Sequence, residues 1–160
     1  MIKLKDLLLE NETPNIFVPR KIEDRIERLI KLYIRNGSKG NLILRQMKLT
    51  KLPEILRDVN VGGDFVCSRN KLTSLINSPK SVNGNFICYG NNLTTLEGCT
   101  QKVGGEFDCS SNIELTSLSG APKFVGKNFY SLRNSFTEEQ IRAVCDVKGK
   151  VYIEGSRRIS

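Results

Sequence analysis

The sequence predicts an α/β solenoid of about six short parallel strands, with an N-terminal helical cap and a short C-terminal helix. Three observations predict it. Phe65, Phe86 and Phe107 recur at intervals of 21 residues, Phe129 and Val151 follow at intervals of 22, and Leu42 precedes Phe65 by 23. Within each unit apolar residues alternate with other types at period two, the pattern of a strand with one buried face. Helical periodicity appears only before the first unit and in the stretch that leads to the last strand. One such unit cannot bury its own apolar columns, but stacked neighbours cover each other.

A chain of 160 residues with 39% hydrophobic content supports one sizeable core. The expected organisation is an appendage at 1–10, a helical cap at 11–39, repeats at 40–135 and a C-terminal cap with the last strand at 136–160. No apolar run approaches the roughly 18 residues that cross a bilayer, and the leading residues lack the long apolar region of a secretory signal, so no membrane partner is expected. The net charge of +8 is uneven: residues 1–61 carry net +5, 62–135 net +2 and 136–160 net +1. The basic excess therefore lies ahead of most of the repeats.

Residues 1–10 suit a short helix that Asn11, Thr13 and Pro14 would close. Ending in Leu8-Leu9-Glu10, they resemble the capsid-targeting peptides that a prohead protease removes from proteins of large tailed bacteriophages. That resemblance implies a structural virion protein, with an ordinary amphipathic segment as the plainer reading. From Pro19 or Arg20 to Asn36, Ile22, Ile26, Leu29, Ile30 and Tyr33 fall on one helical face. Asn36-Gly37 supplies a left-handed stop. The opposite face holds Arg20, Lys21, Arg25, Arg28, Lys31 and Arg35, a candidate nucleic-acid surface, though interleaved acids favour a salt-bridged cap over a phosphate-binding face.

The repeated phrase runs from Val61 to Leu75, again from Val82 to Leu96, and again from Val103 to Leu118. Its core is Phe-x-Cys-x-x-Asn-x-Leu-x-x-Leu. Here the chain resembles the short leucine-rich repeats, 20–22 residues long, of bacterial and bacteriophage proteins, and the resemblance covers residues 40–155. Column by column, Leu42, Phe65, Phe86, Phe107, Phe129 and Val151 point inward together with Leu44, Cys67, Cys88, Cys109, Ser131 and Ile153. Leu49, Leu72, Leu93, Leu115 and Phe136 fill the next layer, and Leu52, Leu75, Leu96 and Leu118 the one after. Asn70, Asn91, Asn112 and Asn134 are expected to hydrogen-bond the backbone of neighbouring units. The column Gly62, Asn83, Gly104, Gly126 and Gly149 predicts a left-handed turn before each strand. Pro53, Pro79 and Pro122 mark a return side expected to be irregular or polyproline-like. The extra residue at Ile113 or Glu114 predicts a local bulge. Thr137 and Gln140 form a capping box opening a short helix through Ile141, Val144 and Cys145, after which Val151 to Ile153 adds a last strand.

Cys67, Cys88 and Cys109 form one straight column with parallel side-chain directions, which suits neither a disulfide nor a tetrahedral metal site. With Cys99 and Cys145 they read as unpaired buried hydrophobes, implying a reducing compartment: the cytoplasm, or a host cytoplasm or virion if the chain is of phage origin. The absence of histidine removes the usual triads. Glu106 and Asp108 are expected on opposite faces of their strand, which weakens a paired-carboxylate site. No enzyme activity, metal or cofactor is expected.

What remains for function is the outward row Ile43, Val66, Ile87, Asp108, Tyr130 and Tyr152, flanked by Arg45, Ser68, Tyr89, Ser110, Leu132 and Glu154. Its exposed aliphatic and aromatic character suits binding of another protein. Partner-binding candidates are therefore Ile43, Val66, Ile87, Tyr89, Asp108, Tyr130, Leu132 and Tyr152.

Overall fold

The computed structural model describes residues 22–154. The expected appendage at 1–10, Arg20 and Lys21 of the basic helix face, and the Arg157-Arg158 tail lie outside the described residues. The protein is an α/β fold with two parallel sheets, of six and five strands, and two α-helices. The larger sheet contains β1 (Leu42–Ile43), β3 (Phe65–Val66), β5 (Phe86–Ile87), β7 (Phe107–Asp108), β9 (Phe129–Ser131) and β11 (Val151–Ile153), in that spatial order. All six expected strands are present. Their register is the one the repeat implies, with Leu42 against Phe65, Phe65 against Phe86, Phe86 against Phe107, and Phe129 against both Phe107 and Val151.

The second sheet corrects the expected irregular return side. It contains β2 (Asn60–Val61), β4 (Ser81–Val82), β6 (Lys102–Val103), β8 (Phe124–Val125) and β10 (Asp146–Val147). Its inward column, Val61, Val82, Val103, Val125 and Val147, is buried throughout. Twenty-one residues leave no room for a return helix, but a strand needs only two residues once the neighbouring unit offers a partner backbone, and β-branched valine suits that geometry. The first return segment differs, forming a 3-10 helix at Glu54–Asp58 that starts after Pro53 and buries Leu56.

Both sheets face one core. Phe65, Phe86, Phe107 and Phe129 are fully buried and stack along it with centroid separations of 5.2, 5.5 and 5.0 Å and tilted or edge-on rings. Such geometry sets the positive ring edge against a negative face and adds about 0.5–1.5 kcal/mol per pair beyond burial. Helix α1 (Ile22–Arg35) sends Ile26, Ile30 and Tyr33 into the same core. The Tyr33 hydroxyl accepts from the Gly62 N–H at 3.2 Å and lies 2.7 Å from the Ser38 carbonyl, to which it donates. The helix stops as expected, with Gly37 at φ 78° and the Ser38 N–H donating to the Tyr33 carbonyl. Helix α2 (Glu138–Val144) opens on the Thr137/Gln140 capping box.

The asparagine ladder forms as expected. Asn112 Oδ1 accepts from the N–H groups of Asn91 (3.1 Å) and Leu93 (3.2 Å), while its Nδ2 donates to the Cys109 carbonyl (2.8 Å) and the Cys88 carbonyl (3.3 Å). Asn91 and Asn70 repeat the arrangement one and two units earlier. Asn134, in the last unit to carry the residue, uses only its Nδ2; its Oδ1 has no partner among the described residues. A second ladder, not anticipated from the sequence, precedes the strands. Asn41, Asp64 and Asn85 each accept, through Oδ1, the backbone N–H of the equivalent residue one unit on: Asp64, Asn85 and Glu106. Asn128 does the same for Lys150.

The glycine expectation is corrected. None of Gly62, Asn83, Gly104, Gly126 and Gly149 has positive φ. Close approach of the preceding unit's backbone restricts individual glycines instead: a Cβ on Gly105 would lie 2.7 Å from the Gly84 carbonyl carbon, and one on Gly84 2.7 Å from that of Gly63, whereas Asn83 and Lys127 carry side chains at the same corner. Left-handed backbone occurs one residue before the asparagine position in the first five units, at Gln46, Arg69, Gly90, Ser111 and Arg133. The chain must change direction there, after the last inward strand residue. The expected bulge is present: Ile113 and Glu114 are both exposed while Leu115 returns to the core at 2% exposure.

Asn112→Ala strands the buried N–H donors of Asn91 and Leu93, while the Cys88 and Cys109 carbonyls keep bonds from Asn91 and Asn134, so it is expected to cost about 2 kcal/mol or more in chemical denaturation. Asn134→Ala should cost clearly less, and equal losses would contradict the ladder. Gly105→Ala is expected to destabilise by about 1–3 kcal/mol through overpacking. Ser111→Gly, which relieves a left-handed serine, should gain about 0.5–1 kcal/mol in the same assay, since the relief of about 1–2 kcal/mol exceeds the entropy cost of glycine.

Candidate interaction face

The parallel register brings Ile43, Val66, Ile87, Asp108, Tyr130 and Tyr152 into one continuous row across the larger sheet. These residues lie between inward neighbours on very short strands, so each points out. Ile43 is exposed at 37%, while the others are half-buried because adjacent rows shade each other at a spacing of about 4.8 Å. In the flanking row Leu132 is exposed at 41% and Tyr89 half-buried, but Ser68 and Ser110 are buried. That corrects their placement on the outer surface. Ser110 Oγ accepts from the Leu132 N–H at 3.0 Å, tying it to the next strand's backbone.

The last three units differ from the others. Tyr130 and Tyr152 stack with centroids 4.8 Å apart and planes 8° from parallel. Tyr130 donates its hydroxyl to Glu106 Oε1 at 3.2 Å, and Asn128 Nδ2 donates to the same oxygen at 3.0 Å. Glu106 and Asp108 share a face, contrary to expectation, because the inward Phe107 separates them and residues two apart on a strand point the same way. Burial pushes the Asp108 carboxyl above the usual carboxylate range; a hydrogen bond from Ser110 opposes this and the Glu106 charge adds to it. Burial likewise raises the Tyr130 phenol.

Glu106 is the functional candidate that sequence reasoning missed. Its signal was present: it stands where the ladder has Asn41, Asp64, Asn85 and Asn128, and its longer side chain reaches out to Tyr130. At the other end, the guanidinium carbons of Arg45 and Arg69 lie 6.0 and 5.7 Å from the Tyr89 ring centroid. Arg45 was expected only as a flank. Arg69 was not singled out, because its reach across one unit depends on a left-handed backbone at φ 54°.

On α1, Arg25, Arg28, Lys31 and Arg35 are exposed alongside Glu23, Asp24 and Glu27, and Lys31 pairs with Glu27 at 3.7 Å. The basic residues are thus interspersed with acids on one solvated helix. The five cysteines are free and buried. Burial pushes the Cys67 and Cys109 thiols up to about 12 and Cys145 to about 11, which leaves no thiolate nucleophile among them near neutral pH. Among the described residues, no group of three or more His, Cys, Asp or Glu side chains is placed to hold a metal ion, and no helix is long and apolar enough to cross a membrane. No family model, curated protein or solved structure matches the chain.

Because the folded Asp108 holds its proton more tightly than the unfolded chain does, its ionisation opposes folding: stability is highest below the ordinary carboxylate pKa and falls as pH rises through the raised value. Asp108→Asn keeps an acceptor for the Ser110 N–H. Thermal melts should find it at least as stable as the parent at neutral pH, with the difference shrinking below about pH 4.

Proposed function

We propose that the protein is a non-catalytic, protein-binding module of the leucine-rich repeat type, and that the outward face of the six-stranded sheet is where another protein docks. The repeated Phe-x-Cys-x-x-Asn-x-Leu unit, the in-register parallel strands and the asparagine ladder support the class. One observation supports the docking face above others. The main core columns stay apolar from unit to unit, as in Phe65, Phe86, Phe107 and Phe129 or Val61, Val82, Val103, Val125 and Val147, whereas the outward row changes from Ile43, Val66 and Ile87 to Asp108, Tyr130 and Tyr152. Packing does not require that change. Asp108 is held there against its own burial, the kind of local cost that functional positions carry.

The composition suits recognition of protein. Half-buried aromatics with a polar tip, here the Tyr130 and Tyr152 stack, supply contact area at low conformational cost. Six strands at about 4.8 Å give a face about 24 Å long, which accommodates a modest interface or one extended segment. The Ile87→Asp, Tyr130→Asp variant changes side chains that point away from the core, so its fold should persist by circular dichroism. It is expected to lose the partner that the parent captures from its native host by at least tenfold in affinity purification, while Arg28→Ser with Lys31→Ser on α1 retains it. Undiminished capture by the face variant would sink the reading.

A further inference from the structure

The proposed face is electrically polarised. At the edge where the first two strands turn toward the asparagine ladder, Arg45, Lys48, Arg69 and Lys71 are all exposed. Residues 41–51 and 65–75 contain no acid. The Arg69 N–H donates to the Tyr89 carbonyl, so these units sit in register, and Tyr89 brings both arginines to one ring at 6.0 and 5.7 Å. Among the described residues neither guanidinium has a carboxylate within ion-pair distance. Both guanidinium groups thus lie within about 6 Å of one ring, and the planar guanidinium fork is matched to a carboxylate or phosphate oxygen pair. An anionic group from outside the chain would neutralise both.

Two neighbours decide which anion. Ile43, Val66 and Ile87 are register partners in the outward row of the strands that lead into Arg45, Arg69 and Tyr89, and offer aliphatic surface, which accepts apolar side chains but not stacked bases. Glu106 and Asp108, one unit beyond Ile87, would repel a polyanion laid along the sheet. We propose that Arg45, Arg69 and Tyr89 form a clamp for an acidic peptide segment, whose carboxylates meet the two guanidinium groups while its apolar side chains lie on Ile43, Val66 and Ile87. This rests on the face being a protein-binding surface, and it adds the chemistry and direction of what binds.

Fluorescence anisotropy tests it with three labelled probes: a short peptide of alternating Glu and Val, the same peptide with Lys in place of Glu, and a single-stranded oligothymidine of equal length. The Glu-Val peptide is expected to bind best, to weaken as salt is added, and to lose roughly tenfold in affinity to the Arg45→Gln, Arg69→Gln variant. Absence of binding by the Glu-Val peptide, equal binding by the Lys-Val peptide, tighter binding by oligothymidine, or an undiminished double variant would each overturn the clamp. The two readings separate cleanly. If Ile87→Asp with Tyr130→Asp loses the native partner but Arg45→Gln with Arg69→Gln keeps both partner and peptide, the face is an interface without the clamp; if the arginine variant loses the peptide while the face variant keeps the native partner, the wider reading fails and the proposed seating of the peptide on Ile87 fails with it.

Discussion

Hydrogen bonding from each unit to the next is the constraint on which the rest of the structure depends. Two-residue strands have almost no stability of their own, and a corner or turn buried between units would strand its N–H and C=O groups. Asn91 and Asn112 resolve this by reaching both the unit before and their own, and ahead of the strands Asn41, Asp64 and Asn85 each accept a backbone N–H from the unit that follows. With the backbone satisfied on both sides, the phenylalanine column can stack without polar interruption. The close approach that makes these bonds short also excludes side chains at Gly63, Gly84 and Gly105.

That constraint also determines where variation is tolerated. Inward columns answer to a shared core and ladder columns to a shared backbone geometry, so a change at either place is felt by two neighbouring units. Only the outward residue of each strand is answerable to neither. The departures from regularity accordingly gather on one surface: Glu106 leaves the ladder for Tyr130, Asp108 takes an apolar position, and Tyr89 extends across the strands to both arginines. Basic and aliphatic residues on the first units, acids on the fourth and tyrosines on the last two give that surface a direction, which a uniform patch would lack.

The periodicity of Phe65, Phe86, Phe107 and Phe129 determined the larger sheet, its parallel pairing and its register, because identical residues one period apart can be buried together only if the units stack in phase. Helix α1, the capping box of α2 and the asparagine ladder were legible for a similar reason: each rests on side chains whose partners lie nearby in sequence or one period away. Five return strands were not legible. A single inward valine per unit is too weak a local pattern, and it becomes a strand only when the neighbouring unit presents its own backbone. Spacing likewise showed that glycine mattered at the corners but not why, since the cause is the carbonyl of the preceding unit and not torsional freedom. The outward row could be listed from alternation alone. Its pairing of Glu106 with Tyr130, and of Arg45 and Arg69 with Tyr89, was decided only by the tertiary structure, because side-chain reach across a stack depends on left-handed turns and unit spacing that no local stretch of residues encodes.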